Sequence, residues 1–191
     1  SGSPQVVTFT GLPAGGQSVS VSATFSEELT CNFTAIDLYN APSSCSNDDV
    51  CDALDVTLNI GGAPVVCSNY GATVQNNEPR PMAMGCSIQN GWCENTLHNT
   101  VWFKFTAPNS GSIDIDFNTP IDLQMALWEA DNCQALLVVS NRMMVAANDD
   151  SGSAGGYSPR ITNQSCLIPG KTYYIQNEGW SGTVGNFSFS N

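Results

Sequence analysis

The chain has few charged residues. Of its 191 residues only 12% are charged, with five Lys and Arg against 17 Asp and Glu, and one histidine. The formal charge of −12 and the lack of a basic stripe with interleaved aromatics exclude nucleic acid and anionic membrane as natural partners, because phosphate would be repelled. Divalent cations suit such a field better. No apolar run approaches the roughly 20 residues of a membrane-spanning helix, so no membrane span is expected. The opening Ser-Gly-Ser-Pro is no signal peptide, and the chain reads as a mature product or a piece of something longer. No segment shows helical periodicity.

Catalytic signatures are also scarce. His98, between Leu97 and Asn99, has no obvious serine partner for a triad, and a structural histidine is the simpler reading. Asp114 and Asp116 lie two apart on one strand face, whereas the paired carboxylates of glycoside hydrolysis usually come from separate elements. There is no phosphate-cradling glycine loop. The chain is therefore read as not an enzyme.

What the sequence has is strand patterning. Asn99 to Phe105 places Val101, Phe103 and Phe105 on one face of a strand and Trp102 and Lys104 on the other. Residues 18–25 alternate strictly, and residues 112–117 alternate apolar side chains with aspartates. Further strands are predicted over 5–10, 31–39, 55–60, 63–68, 100–106, 122–128, 136–140, 171–177 and 183–190. The turns include Pro108-Asn109-Ser110-Gly111 and Ile168-Pro169-Gly170. This spacing predicts an all-β, jelly-roll-like antiparallel β-sandwich over residues 46–191. It is preceded by a small β segment over 1–45 that is too small to fold alone and must be covered by the rest of the chain, an upstream part of a longer precursor, or a neighbouring copy. Residues 41–45 read as a linker.

Eight cysteines without tight Cys-x-x-Cys or Cys/His spacing point to disulfides in an oxidising, extracellular setting rather than to zinc. Local hairpin staples predict the sequential pairs Cys31 with Cys45, Cys51 with Cys67, Cys86 with Cys93, and Cys133 with Cys166. A ring from Cys86 to Cys93 would present Trp92 as a contact for a sugar or a protein, or let it tuck back against the sandwich. Tyr157 and Trp180, both in Gly-containing turns, are the other candidate contact residues. Trp102 and Trp128 lie in strands and read as structural.

Two acidic loops, Asn47-Asp48-Asp49 and Asn148-Asp149-Asp150, offer compact oxygen ligands. Calcium takes six to eight oxygens, so Asp48, Asp49, Asp149 and Asp150 are candidate ligands, with Asp52, Glu78, Asp122 or backbone carbonyls available to complete a shell. The same residues also suit ordinary turn chemistry, in which Asn and Asp bond their own backbone. Neither loop has EF-hand spacing. Asn32-Phe-Thr34, Asn163-Gln-Ser165 and Asn186-Phe-Ser188 have the form of glycosylation acceptors.

Taken in order, Asn47-Asp48-Asp49-x-Cys51, Gly71-Ala72-Thr73, Glu78-Pro79, Val101-Trp102-Phe103-Lys104-Phe105-x-Ala107-Pro108-x-Ser110-Gly111, Leu123 to Leu127, Asn148-Asp149-Asp150-Ser151-Gly152 and Leu167-x-Pro169-Gly170-x-Thr172-Tyr173-Tyr174-Ile175 resemble the bacterial pre-peptidase C-terminal β-sandwich domains. Residues 1–45, with Phe9-Thr10-Gly11-Leu12-Pro13, look like the closing strands of an Ig-like or linker module. The chain departs from the family pattern in a longer stretch from Met82 to His98, and in lacking a cysteine just before the first Asn-Asp-Asp. The resemblance also favours the Cys51–Cys67 pair. It implies an accessory module of large secreted or surface proteins that binds, spaces or adheres without catalysis. The expected role is thus a structural or adhesion module at a bacterial cell surface, repeating or filament-forming, with calcium as cofactor. Its expected partners are other copies of itself or adjacent modules. The alternative is a carbohydrate-binding accessory domain of a secreted hydrolase, with glycans as partners.

Overall fold

A computed structural model describes residues 45–57, 60–81, 91–94, 96–150 and 156–191, together with the backbone of strands β1 (Gln17–Ala23) and β2 (Phe33–Tyr39). The chain divides into two compact units, Ser1–Ser43 and Ser44–Asn191. In the first, β1 and β2 pair antiparallel from Gln17↔Tyr39 to Ala23↔Phe33. The strand predicted over 5–10 lies outside the described residues.

The second unit is an all-β sandwich. Its strands are β3 (Leu54–Asp55), β4 (Val65–Ser68), β5 (Val101–Thr106), β6 (Ile113–Asn118), β7 (Leu123–Ala130), β8 (Arg142–Asn148), β9 (Arg160–Gln164), β10 (Thr172–Gly179) and β11 (Asn186–Ser190). One sheet has the order β3-β5-β10-β7-β8 and the other β4-β11-β6-β9. All pairings are antiparallel except β3 with β5, which run parallel through Leu54↔Phe103 and Asp55↔Lys104.

The alternating residues of the two inner faces make the main core. Phe103 and Phe105 of β5, Ile115 and Phe117 of β6, Met125 and Leu127 of β7, Ile175 of β10, and Phe187 and Phe189 of β11 are all buried in one cluster. Phe103 meets Phe189 edge-on at 4.8 Å between ring centroids, and Phe117 stacks on Phe189 at 4.8 Å. Such contacts add about 0.5–1.5 kcal/mol each beyond the area they bury.

The outer face of the five-stranded sheet is also covered, which the sequence pattern did not foresee. Trp102, Ala126, Trp128 and Tyr174 on that face pack with Val50, Ala53, Trp92 and Leu136 into a second buried cluster. The cover is a 3-10 turn at Val50–Asp52 and a one-turn helix α1 (Cys133–Leu136), whose N-cap Asn132 side chain accepts from the Ala135 N–H at 2.9 Å.

The strand predicted over 136–140 is not formed: Leu136 ends that helix, Leu137 and Val138 turn, and Val139–Asn141 is a 3-10 turn. Val139, within that predicted strand, is 77% exposed. Strands β8 and β9 were not anticipated, since neither Arg142–Asn148 nor Arg160–Gln164 alternates cleanly.

Two disulfides in the described residues join Cys45 with Cys67 and Cys51 with Cys133. These correct the expected pairs Cys31–Cys45, Cys51–Cys67 and Cys133–Cys166. Cys67 points into the core between the sheets, whereas Cys51 sits in the cover over the opposite face of the five-stranded sheet, so a bridge between them would have to cross that sheet. Cys51 instead meets α1 and fastens the two pieces of the cover across a separation of 82 residues, a closure worth on the order of 2–4 kcal/mol. Cys166 is free and exposed. Cys93 is disulfide-bonded; Cys31 and Cys86 lie outside the described residues, and with them the expected Cys86–Cys93 pair.

Candidate metal centre

The acidic residues gather at one end of the five-stranded sheet because of strand register. β7 and β8 pair antiparallel with Met125 opposite Asn148, so the start of β7 and the end of β8 lie side by side. This brings Asp122, just before β7, to Asp149 and Asp150, just after β8. Each of the three offers a carboxylate oxygen within 4.8 Å of the others. β10 pairs with β7 through Glu178↔Gln124, which places Glu178 at the same end. Glu94 and His98 lead into β5 and join Glu178 in a second group held to the same 4.8 Å limit.

Asp149 is the critical residue of the first group. It is 3% exposed, and its Oδ1 is buried without a hydrogen-bond partner, as is Oδ1 of Asp150. A buried acceptor left without a donor costs about 1–3 kcal/mol, and a charged one more. Burial pushes the Asp149 carboxyl up to about 7, with Asp150, Asp122 and Glu94 adding like charge. Burial also raises Asp122, helped by Asp150 and Glu94, and burial alone raises Asp150. Among the described residues no lysine or arginine counters these three charges. Hard carboxylate oxygens, unfilled and converging, fit calcium or a similar divalent ion.

Asp48 and Asp49 are not brought to this cluster. Both Asp48 carboxylate oxygens are used by Thr73, Oδ1 accepting from its N–H at 2.6 Å and Oδ2 from its hydroxyl at 2.9 Å. Asp49 is the extended N-cap residue of the Val50–Asp52 turn. Asp48 is thus spent on a residue 25 positions away, and Asp49 makes no side-chain cap bond to its own turn. Asn47 is committed elsewhere too, its Nδ2 donating to the Trp102 carbonyl at 2.8 Å.

Glu78 and Glu178 are buried carboxylates with different partners. Glu78 accepts from Trp102 Nε1 at 2.7 Å and lies 2.8–2.9 Å from the Thr100 hydroxyl, and burial raises it to about 7 despite those bonds. Glu178 is fully buried and raised by burial to about 8. Its Oε1 accepts from the Gln124 amide and its Oε2 from the His98 backbone N–H, both at 3.0 Å.

Of the expected contact residues, Trp92 is corrected: it is 0% exposed, turned into the outer cluster beside Trp102 and Trp128, because that face of the sheet would otherwise stand bare. Tyr157 and Trp180 are exposed, at 63% and 41%. Backbone bonds tie both to the aspartate cluster, since Leu123 N–H donates to the Tyr157 carbonyl and Trp180 N–H to the Asp122 carbonyl. Nothing in the sequence marked Glu94, His98 or Glu178 as neighbours. Their meeting depends on pairing between β10 and β7, and Glu178 falls just past the strand predicted over 171–177.

Ser181 donates its backbone N–H to Glu94, and no hydrogen bond among the described residues joins its hydroxyl to His98. Comparison of the chain with family models, curated proteins and solved structures finds no match.

Proposed function

We propose that the chain is a non-catalytic extracellular module, similar to the pre-peptidase C-terminal domains, that gives structure or adhesion to a surface or secreted assembly with calcium bound by Asp122, Asp149 and Asp150. The observation that carries this reading is the buried Asp149 Oδ1, which has no donor and faces two further carboxylates. A cation supplies what that oxygen lacks. Disulfides and a mostly uncharged polar surface suit life outside the cell.

The test is calorimetric titration of the chelator-treated chain with calcium, in parallel with thermal melts. A single saturable event with a raised melting midpoint supports the reading, and no heat together with no shift defeats its calcium part. Self-association is tested separately, by light scattering with and without calcium. Growth beyond a monomer supports the repeating or filament-forming role with other copies as partners, and a monomer at all concentrations counts against it.

The second reading, a carbohydrate-binding accessory domain, is favoured by the exposure of Tyr157 and Trp180 next to the cluster. Aromatic faces beside a cation make a plausible glycan platform. Retention on polysaccharide that is lost in Trp180→Ala would favour it over the structural role.

A further inference from the structure

The group Glu94–His98–Glu178 contains the chain's only imidazole and is chemically unlike the aspartate cluster. We propose that these three residues form a second, separate metal site that takes an imidazole-preferring divalent ion of the zinc class. Nitrogen plus two carboxylates is a donor set that zinc, nickel and copper accept well and calcium does not.

Three observations carry the assignment. His98 Nδ1 lies 3.3 Å from Glu94 Oε2. That is longer than the 2.7–2.9 Å of a charge-assisted hydrogen bond. It does match the ligand–ligand edge of a tetrahedral zinc shell, about 3.3 Å for bonds of 2.0–2.1 Å.

The carboxylates are also held by donors other than the three candidate ligand atoms, as metal ligands usually are. Glu178 is fixed by the Gln124 amide and the His98 N–H, and Glu94 Oε2 by the Ser181 N–H at 3.0 Å. Gln124, itself fully buried, is fixed in turn by the Cys93 N–H at 2.8 Å. The His98 ring rests against Gly182, where an added Cβ would stand 3.5 Å away.

The third observation is charge. Glu178 is 0% exposed, and the charges acting on it are the like charges of Glu94 and Glu78, with no lysine or arginine among them. A divalent ion neutralises buried Glu178 and half-buried Glu94 together. The His98 and Glu94 side chains keep 35% and 18% exposure, leaving an entry path and room for a fourth ligand from solvent.

The assignment does not depend on calcium binding to the aspartates. The full chain, stripped with chelator and supplied with excess calcium, is titrated with zinc by calorimetry and with cobalt(II) by visible absorption. Expected are one zinc equivalent bound in the presence of calcium and a tetrahedral cobalt spectrum. Both His98→Ala and Glu94→Gln should weaken zinc by about tenfold or more, while Asp149→Asn leaves the cobalt spectrum unchanged. Retained circular dichroism and melting cooperativity establish that each variant is folded. Zinc binding fully displaced by calcium, an octahedral cobalt spectrum, or folded His98→Ala binding zinc as the parent does would each overturn the site.

Discussion

The Trp102 indole N–H donates to Glu78 Oε1 at 2.7 Å, joining a fully buried ring to a carboxyl that is 5% exposed. Trp102 is therefore both a packing residue of the outer cluster and the donor that makes a buried acid tolerable.

Trp102→Phe keeps most of the ring and removes that donor. Equilibrium denaturation should show a loss of about 1–3 kcal/mol, the usual cost of stranding a buried acceptor. Glu78→Gln, which retains an oxygen acceptor for the indole, should lose less. A Trp102→Phe variant as stable as the parent would mean that Thr100 alone satisfies Glu78.

Asp149→Asn separates the two roles of the aspartate cluster. In chelator at pH 8 the variant should melt no lower than the parent, because a buried charge without a donor has been removed. With calcium in large excess the parent should gain about 5–10 °C, from about 2.7 kcal/mol at a hundredfold excess over Kd and 2–4 °C per kcal/mol for a chain of this size. The variant should gain little. Paired melts of the two proteins decide it.

The cysteines make a chemical prediction. Peptide mapping without reduction should recover Cys45 linked to Cys67 and Cys51 linked to Cys133, and a maleimide should label Cys166 in the native chain. Recovery of a Cys133–Cys166 peptide would show that the cover over the outer sheet face is fastened differently.

These bridges also show what could be read in advance. Strict alternation in β6 and around Phe103 and Phe105 reveals a strand with one face in the core, because the period of side-chain direction in a strand is two. The sandwich follows from such segments. The outer cluster does not: Trp102 and Trp128 read as structural, but that Val50, Trp92 and Leu136 arrive from distant parts of the chain to cover them is not written in the pattern. The same holds for the acidic end. Asp149 and Asp150 stand out as a loop pair, whereas Glu178 reaches the same end of the sheet only through the register of β10 on β7. Sequence proximity suggested the cysteine pairs, and burial on opposite faces of a sheet decided otherwise.

Gly179 marks the tightest backbone approach at this end of the sheet. A Cβ there would stand 1.7 Å from the Thr183 carbonyl oxygen, while the Gly179 N–H donates to Asn99 Oδ1 at 3.1 Å. Gly179→Ala must therefore displace the Trp180–Thr183 turn. The expected cost is more than about 2 kcal/mol, at the upper end of what single substitutions usually do. Trp180 fluorescence should shift with it. Gly61→Ala, where nothing lies within 4 Å but φ is +70°, should cost less and leave Trp180 unmoved.

The buried acids fix the direction of pH dependence. Glu78 and Asp149 are raised to about 7 and Glu178 to about 8, against ordinary values of 4.5 for Glu and 3.8 for Asp. Between those limits the folded chain holds protons that the unfolded chain has released. Stability contributed by the protonated forms is then fully present below about pH 4 and lost as pH rises through 7 and 8. The chelated protein should accordingly melt highest in mild acid and lower at pH 8. Bound calcium replaces the proton on Asp149, so it should raise the midpoint more at pH 8 than at pH 5, and its affinity should climb as pH rises toward and past about 7 and that proton is released. Melts on a pH series with calcium and with chelator test both halves at once. Curves that rise together from pH 5 to pH 8 and differ by a constant amount would show that these acids are already ionised in the folded chain and that the cation meets no proton competition.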